Sequence, residues 1–147
     1  MFKHRGMTLI EIMVVLAILV LIIVAAVPLG RAWVANAHIA RAESTLLQAY
    51  QIARATALKN VGGLTGTAAV STLDLSVNPT LKVTENSSSP ASDVWTSNIN
   101  SDTIIVITDS TCSNKVSLNN LGLPDSSNCL VYSVSSSGGT TKSGSLH

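Results

Sequence analysis

An unbroken apolar run with a single carboxylate at its start constrains this chain more than any other feature. Residues 12–30 are apolar apart from one proline and one glycine, and no charge follows Glu11 until Arg31. As a helix, about 20 such residues cross the hydrocarbon core of a bilayer, so the segment is predicted to span a membrane. An ionised carboxylate at the centre of such a span costs about 2.5–3.5 kcal/mol, so Glu11 needs a partner that a plain anchor would not supply. Lys3 and Arg5 precede the span and Arg31 follows it. By the excess of cationic residues on the cytoplasmic side, the short leader stays inside and the bulk of the chain lies outside. A cleaved secretory signal would have an apolar region of only about 7–15 residues with a small-residue cut site behind it. Here the run is longer, and the triplet Ala35-Asn36-Ala37 lies well past its end. An uncleaved signal anchor fits the length but leaves Gly6 and Glu11 without a reason.

The stretch Gly6-Met7-Thr8-Leu9-Ile10-Glu11, behind a short basic leader and ahead of an apolar helix, resembles the processing and assembly signal of type IV prepilins and of type II secretion pseudopilins. Pro28 falls where many members of that family have a proline, and Met7 stands where the family more often has Phe. The resemblance is close over roughly the first thirty residues and extends beyond them only as a general plan. It implies cleavage after Gly6 by a prepilin peptidase, N-methylation of the new terminal Met7, and a contact between Glu11 and the amine of a neighbouring subunit. It further implies an inner-membrane stage followed by filament assembly. Coulomb attraction across about 4 Å at an effective dielectric near 20 is on the order of 4 kcal/mol, comparable to the cost of burying the acid, so Glu11 would set register more than stability. Pro28 would be a kink or melted point, because an interior proline removes a backbone hydrogen bond.

The expected fold class is α+β: a long N-terminal helix, transmembrane in its first half and amphipathic in its second, packed on a small antiparallel sheet. The expected divisions are a leader at 1–6, the membrane and assembly half of the helix at 7–30, its amphipathic half at 31–60, and a β-rich globular region at 61–147. In the second half Ile39, Leu46, Leu47, Tyr50, Ala53 and Ala57 recur at three and four residues, the period of a helix with one apolar stripe. Arg31, Arg41, Glu43 and Arg54 are expected to face water or other subunits. Gly62 and Gly63, after Lys59, punctuate the C-terminus.

So small a globular part has a small core and needs further support. Cys112 and Cys129 are the only cysteines in the 147-residue chain. A bridge between them would suit an oxidising periplasm and would contribute about 3 kcal/mol by the loop-entropy model. Two buried free thiols are the alternative; zinc is disfavoured because no histidine or further cysteine lies near. A late disulfide-stapled loop also resembles that of many type IV pilins.

Past the glycines the composition turns to Ser, Thr, Asn and β-branched runs, with strands expected at 67–75, 80–85, 103–108, 115–119 and 130–135 and a weaker one after Gly139. The segment Thr103-Ile104-Ile105-Val106-Ile107-Thr108 is apolar through its middle and reads as a central strand with both faces covered. Residues 85–100 read as a surface connection with Trp95 as its anchor. The serines at 133 and 135–137 read as solvated tail, and Asn86-Ser87-Ser88 matches a glycosylation sequon that carries little weight in a bacterial chain. His4, His38 and His147 are far apart and no triad, phosphate loop or metal spacing stands out, so neither an enzyme nor a cofactor or metal site is expected.

A DNA- or surface-binding minor pilin at a filament tip, and a type II secretion pseudopilin, are the alternatives to a filament-forming pilin. From Arg31 onward seven basic residues balance seven acidic ones. Lys82, Lys115 and Lys142 are the only cations after Lys59, and no basic run interleaved with aromatics occurs, so nucleic acid is a weakly supported partner. Ala53-Arg54-Ala55-Thr56-Ala57 and Val116-Ser117-Leu118-Asn119-Asn120-Leu121-Gly122 resemble stretches of minor pilins and the pseudopilin H class. The late cysteine pair fits a major pilin as well.

Overall fold

A helix whose first half has no polar face and whose second half has one must end its first half in lipid or protein and its second half on a partner layer. The computed structural model describes residues 8–86, 90–125 and 127–147, without the side chains of 127 and 128. Helix α1 (Leu9–Lys59) is continuous over 51 residues, about 75 Å at 1.5 Å per residue. From Thr8 to Arg31 every residue is exposed. Beyond that point Ala35, Ile39, Ala42, Leu46, Ala49, Ala53 and Thr56 are buried, alternating by four and three residues along one face. Tyr50 and Ala57 join this stripe, whereas Leu47 points away from it. Five of its members are alanines, which let the sheets approach the helix axis closely.

The helix ends one residue before a left-handed Asn60 (φ 40°). Asn60, not the glycines, is the stop: its side chain accepts from Leu64 N at 2.9 Å and donates to Leu64 O at 2.7 Å, closing the turn that redirects the chain.

Among the described residues seven strands follow: β1 (Ser71–Asp74), β2 (Thr80–Glu85), β3 (Ser92–Asn98), β4 (Thr103–Ile107), β5 (Lys115–Leu118), β6 (Val131–Ser136) and β7 (Lys142–Ser145). They form two antiparallel sheets, ordered β3-β2-β1-β5 and β4-β6-β7, that share the helix stripe as a common backing. Leu73, Leu81, Val83, Val116 and Leu118 from the first sheet and Ile105, Ile107, Tyr132 and Val134 from the second meet Leu46, Tyr50 and Ala53 in one core. Ser71 is also buried, its hydroxyl donating to Ala53 O at 2.7 Å, so β1 is hydrogen-bonded to the helix as well as packed on it.

Four expectations are corrected. The apolar strand β4 is an edge strand, with Ile105 and Ile107 in the core but Ile104 and Val106 turned outward at 49% and 38% exposure. The central position belongs to β6, whose inward residues are Tyr132 and Val134, so the serines at 133, 135 and 136 are strand residues and not tail. Residues 92–98 are strand β3, paired with β2 through a register shift between Val83 and Thr84. Val94 and Trp95 are the apolar residues of this edge strand and, being adjacent, point to opposite faces, so no apolar alternation marks it; Trp95 packs on the core as its anchor. The first predicted strand is also shorter, beginning only at Ser71.

Cys112 and Cys129 are bonded, with their Cα atoms 5.7 Å apart. The bridge ties the short 3-10 turn Ser110–Cys112 to the turn Ser127–Leu130 that leads into β6. The 3-10 turn is capped by Asp109, whose carboxylate accepts from the amide and hydroxyl of Thr111 at 2.9 and 2.7 Å. Those two donors hold the Asp109 carboxyl below the ordinary carboxylate value.

Candidate functional site

Of the residues that the sequence marks for processing and assembly, the structure describes Glu11, in the first turn of α1, and Pro28, in its interior. Thr8 is the helix N-cap in extended conformation and Glu11 the acid of the first turn. Thr8 N donates to Glu11 Oε2 at 3.5 Å, at the outer limit of a hydrogen bond. No ion pair among the described residues uses Glu11. Gly6 and Met7 lie outside the described residues, as do Ser87 and Ser88 of the sequon. The helix runs unbroken through Pro28, with neither flanking turn leaving the helical conformation.

Midway along the same helix the fold is locked by polar contacts that the sequence did not reveal. Glu43, expected to face outward, instead turns to the second sheet. Its carboxylate accepts from Tyr132 Oη at 3.0 Å and is paired with Lys142 Nζ. Burial first, and then the neighbouring Glu43 charge, push the Tyr132 phenol above its ordinary value. Asn36 Oδ1 accepts from Thr140 N at 2.8 Å, where the β6–β7 turn meets the helix. A Cβ on Gly139 would lie 2.8 Å from Ile39 Cδ1, so only glycine lets that turn sit against the stripe. No local signal marks these residues, because each contact joins positions about 90 or more apart in sequence.

The lysines weighed as a nucleic-acid patch are each paired with a carboxylate: Lys82 and Lys115 stand opposite Asp74 on either side of it in the first sheet, and Lys142 lies in the second. Lys82 pairs with Asp93 at 2.8 Å, Lys115 with Asp74 at 2.9 Å and Lys142 with Glu43. Burial pushes the Asp74 carboxyl up, but the Ser76 hydroxyl and amide together with Lys115 outweigh it and leave it below the ordinary value. Among the described residues no cluster of three His, Cys, Asp or Glu could hold a metal ion.

Residues 1–27 match the family model of the prokaryotic N-terminal methylation motif. Together with one long N-terminal helix packed on antiparallel sheets, that match supports the type IV pilin and pseudopilin family without distinguishing its subclasses. No curated protein and no solved structure matches the chain.

Proposed function

We propose that the chain is a structural subunit of a type IV pilus or pilus-like filament. In this reading a prepilin peptidase cuts after Gly6 on the cytoplasmic face and methylates the amine of Met7. The subunit waits in the inner membrane with residues 31–147 on the periplasmic side, and then joins other pilin subunits through residues 7–30. The observation that carries it is the two-part helix: 0% of its most apolar window is buried in the subunit, while the second half is covered by both sheets. Such a helix is soluble only in lipid or against its own kind. Moving its apolar surface into a helix bundle keeps about 25 cal/mol per Å² of burial out of water. Glu11, with only a long contact of its own, is suited to receive a neighbour's methylated amine and so to fix axial register. The pairing of all three globular lysines with carboxylates disfavours the DNA-binding alternative.

The test is intact mass and N-terminal sequencing after co-expression with a prepilin peptidase, beside a Gly6-substituted control. Loss of residues 1–6 and a methyl group on Met7 is the expected outcome. A wild-type chain that keeps its leader would reduce the N-terminus to a signal anchor.

A further inference from the structure

Where the apolar half of α1 gives way to the covered half, an open groove of about 560 Å³ lies between the helix and the second sheet. Its helix wall begins in the apolar run at Val27 and Gly30, passes Arg31 and Val34, and ends at His38. The opposite lip is Asp102 with Ser136 and Ser137. The pairing of Thr103 with Ser136 sets Asp102 beside those serines. The turn that follows is held to the helix, where Thr140 N donates to Asn36 Oδ1 at 2.8 Å. The two walls are therefore fixed relative to each other.

Three observations give the groove an occupant. The first is its depth in a bilayer. Arg31 is the first charge after the apolar run, and Trp33 stands 75% exposed two residues on, as aromatic side chains do at a membrane interface. At 1.5 Å per residue the wall runs from about 6 Å below Arg31 to about 10 Å above it, the level at which acyl chains give way to headgroups. The second is charge. Arg31, His38 and Asp102 line one groove, yet none of them takes part in the ion pairs among the described residues. Opposite charges that face one space without pairing fit a ligand that carries both signs. The third is Gly30. Glycine inside a helix is destabilising relative to alanine, and nothing in the fold requires it here, since an added Cβ would meet nothing within 4 Å. Its bare backbone leaves room for a ligand chain against the wall between Val27 and Val34.

We infer that the groove holds one aminophospholipid of the leaflet facing the globular part. An acyl chain lies along Val27, Gly30 and Val34, the phosphate sits at Arg31 and His38, and the primary ammonium sits at Asp102. An anionic phospholipid would bring no cation to Asp102, and a quaternary ammonium would have no N–H to donate to it. The inference rests on the membrane stage of the proposed function and adds to it a specific lipid partner.

The experiment uses the full chain, with Ser137 replaced by the photo-crosslinking residue p-benzoylphenylalanine, in nanodiscs of equal parts phosphatidylethanolamine, phosphatidylcholine and phosphatidylglycerol. Intact mass identifies the lipid added on irradiation. The expected result is about threefold enrichment of the ethanolamine adduct over its share of the bilayer, the scale of one exposed ion pair. Asp102→Asn should erase that preference, and Arg31→Gln should lower the adducts of all three lipids. The same residue placed at position 58, about 40 Å along the helix beyond Arg31, should give no lipid adduct. Excess inorganic phosphate should leave the adducts unchanged; displacement by it would assign the site to a free anion and overturn the inference. Adducts in bulk proportion, adducts dominated by phosphatidylglycerol, or a crosslink to a second copy would each overturn it while leaving the membrane stage intact. A chain that alkaline carbonate extracts from cell membranes would overturn both.

Discussion

Glu43 shows how one residue can hold two layers together. Its carboxylate lies between the Tyr132 hydroxyl and the Lys142 ammonium, so the helix is bonded to the central and edge strands of the second sheet at once. Tyr132→Phe removes one of those donors from a half-buried carboxylate and should cost about 1–2 kcal/mol, read as a lower denaturation midpoint with unchanged slope. Asp74 supplies the pH dependence. Its folded carboxyl lies below the ordinary 3.8, so its contribution is in full force above that value and is lost as pH falls through the lower folded one. Unfolding midpoints measured from about pH 2 to 5 should therefore fall less steeply for Asp74→Asn than for the wild type. Neither role could be read locally: Glu43 looked like a water-facing helix charge, and its partners lie 89 and 99 residues away.

Among the elements, α1 carries most of the information in the sequence. Its existence, its two-part character and most of its stripe follow from the three-four spacing of apolar residues; choosing Leu46 over Leu47 required knowing where the sheets press. Leu46 has no exposed surface, and Leu46→Ala should cost about 2–5 kcal/mol in thermal or denaturant unfolding, since the alanine-rich stripe gives little scope for collapse. The strands were legible where β-branched residues cluster and illegible where pairing alone makes the strand. β3 is polar because an edge strand can satisfy one side of its backbone with β2 and the other with water. β4 is apolar in sequence yet lies at an edge, since Ile104 and Val106 face outward there. The Cys112 to Cys129 bridge spans 17 residues and holds the entry to β6. Replacing both cysteines with Ser should lower stability by about 3 kcal/mol, with hydrogen exchange rising first between residues 110 and 130.

At the scale of the whole molecule, the subunit is a globular head fixed on the outer half of a rod whose inner half has no partner of its own. Under the proposed function, Glu11→Ala should leave cleavage intact, because the proposed cut after Gly6 lies upstream of it, but should sharply reduce incorporation into filaments; immunoblots of sheared filaments against whole cells would measure both. Normal incorporation would remove Glu11 from the register argument. The sequence by itself determined the membrane-length helix, its single carboxylate, the processing motif and the α+β plan, because these rest on contiguous residues whose hydropathy and spacing act locally. Only the tertiary structure decided strand order, the outward turn of β4, the Glu43 junction and the pairing of each globular lysine with a carboxylate. Those depend on which distant backbones pair and which side chains then share a face, and such pairings are set by the packing of the entire core and not by any window along the chain.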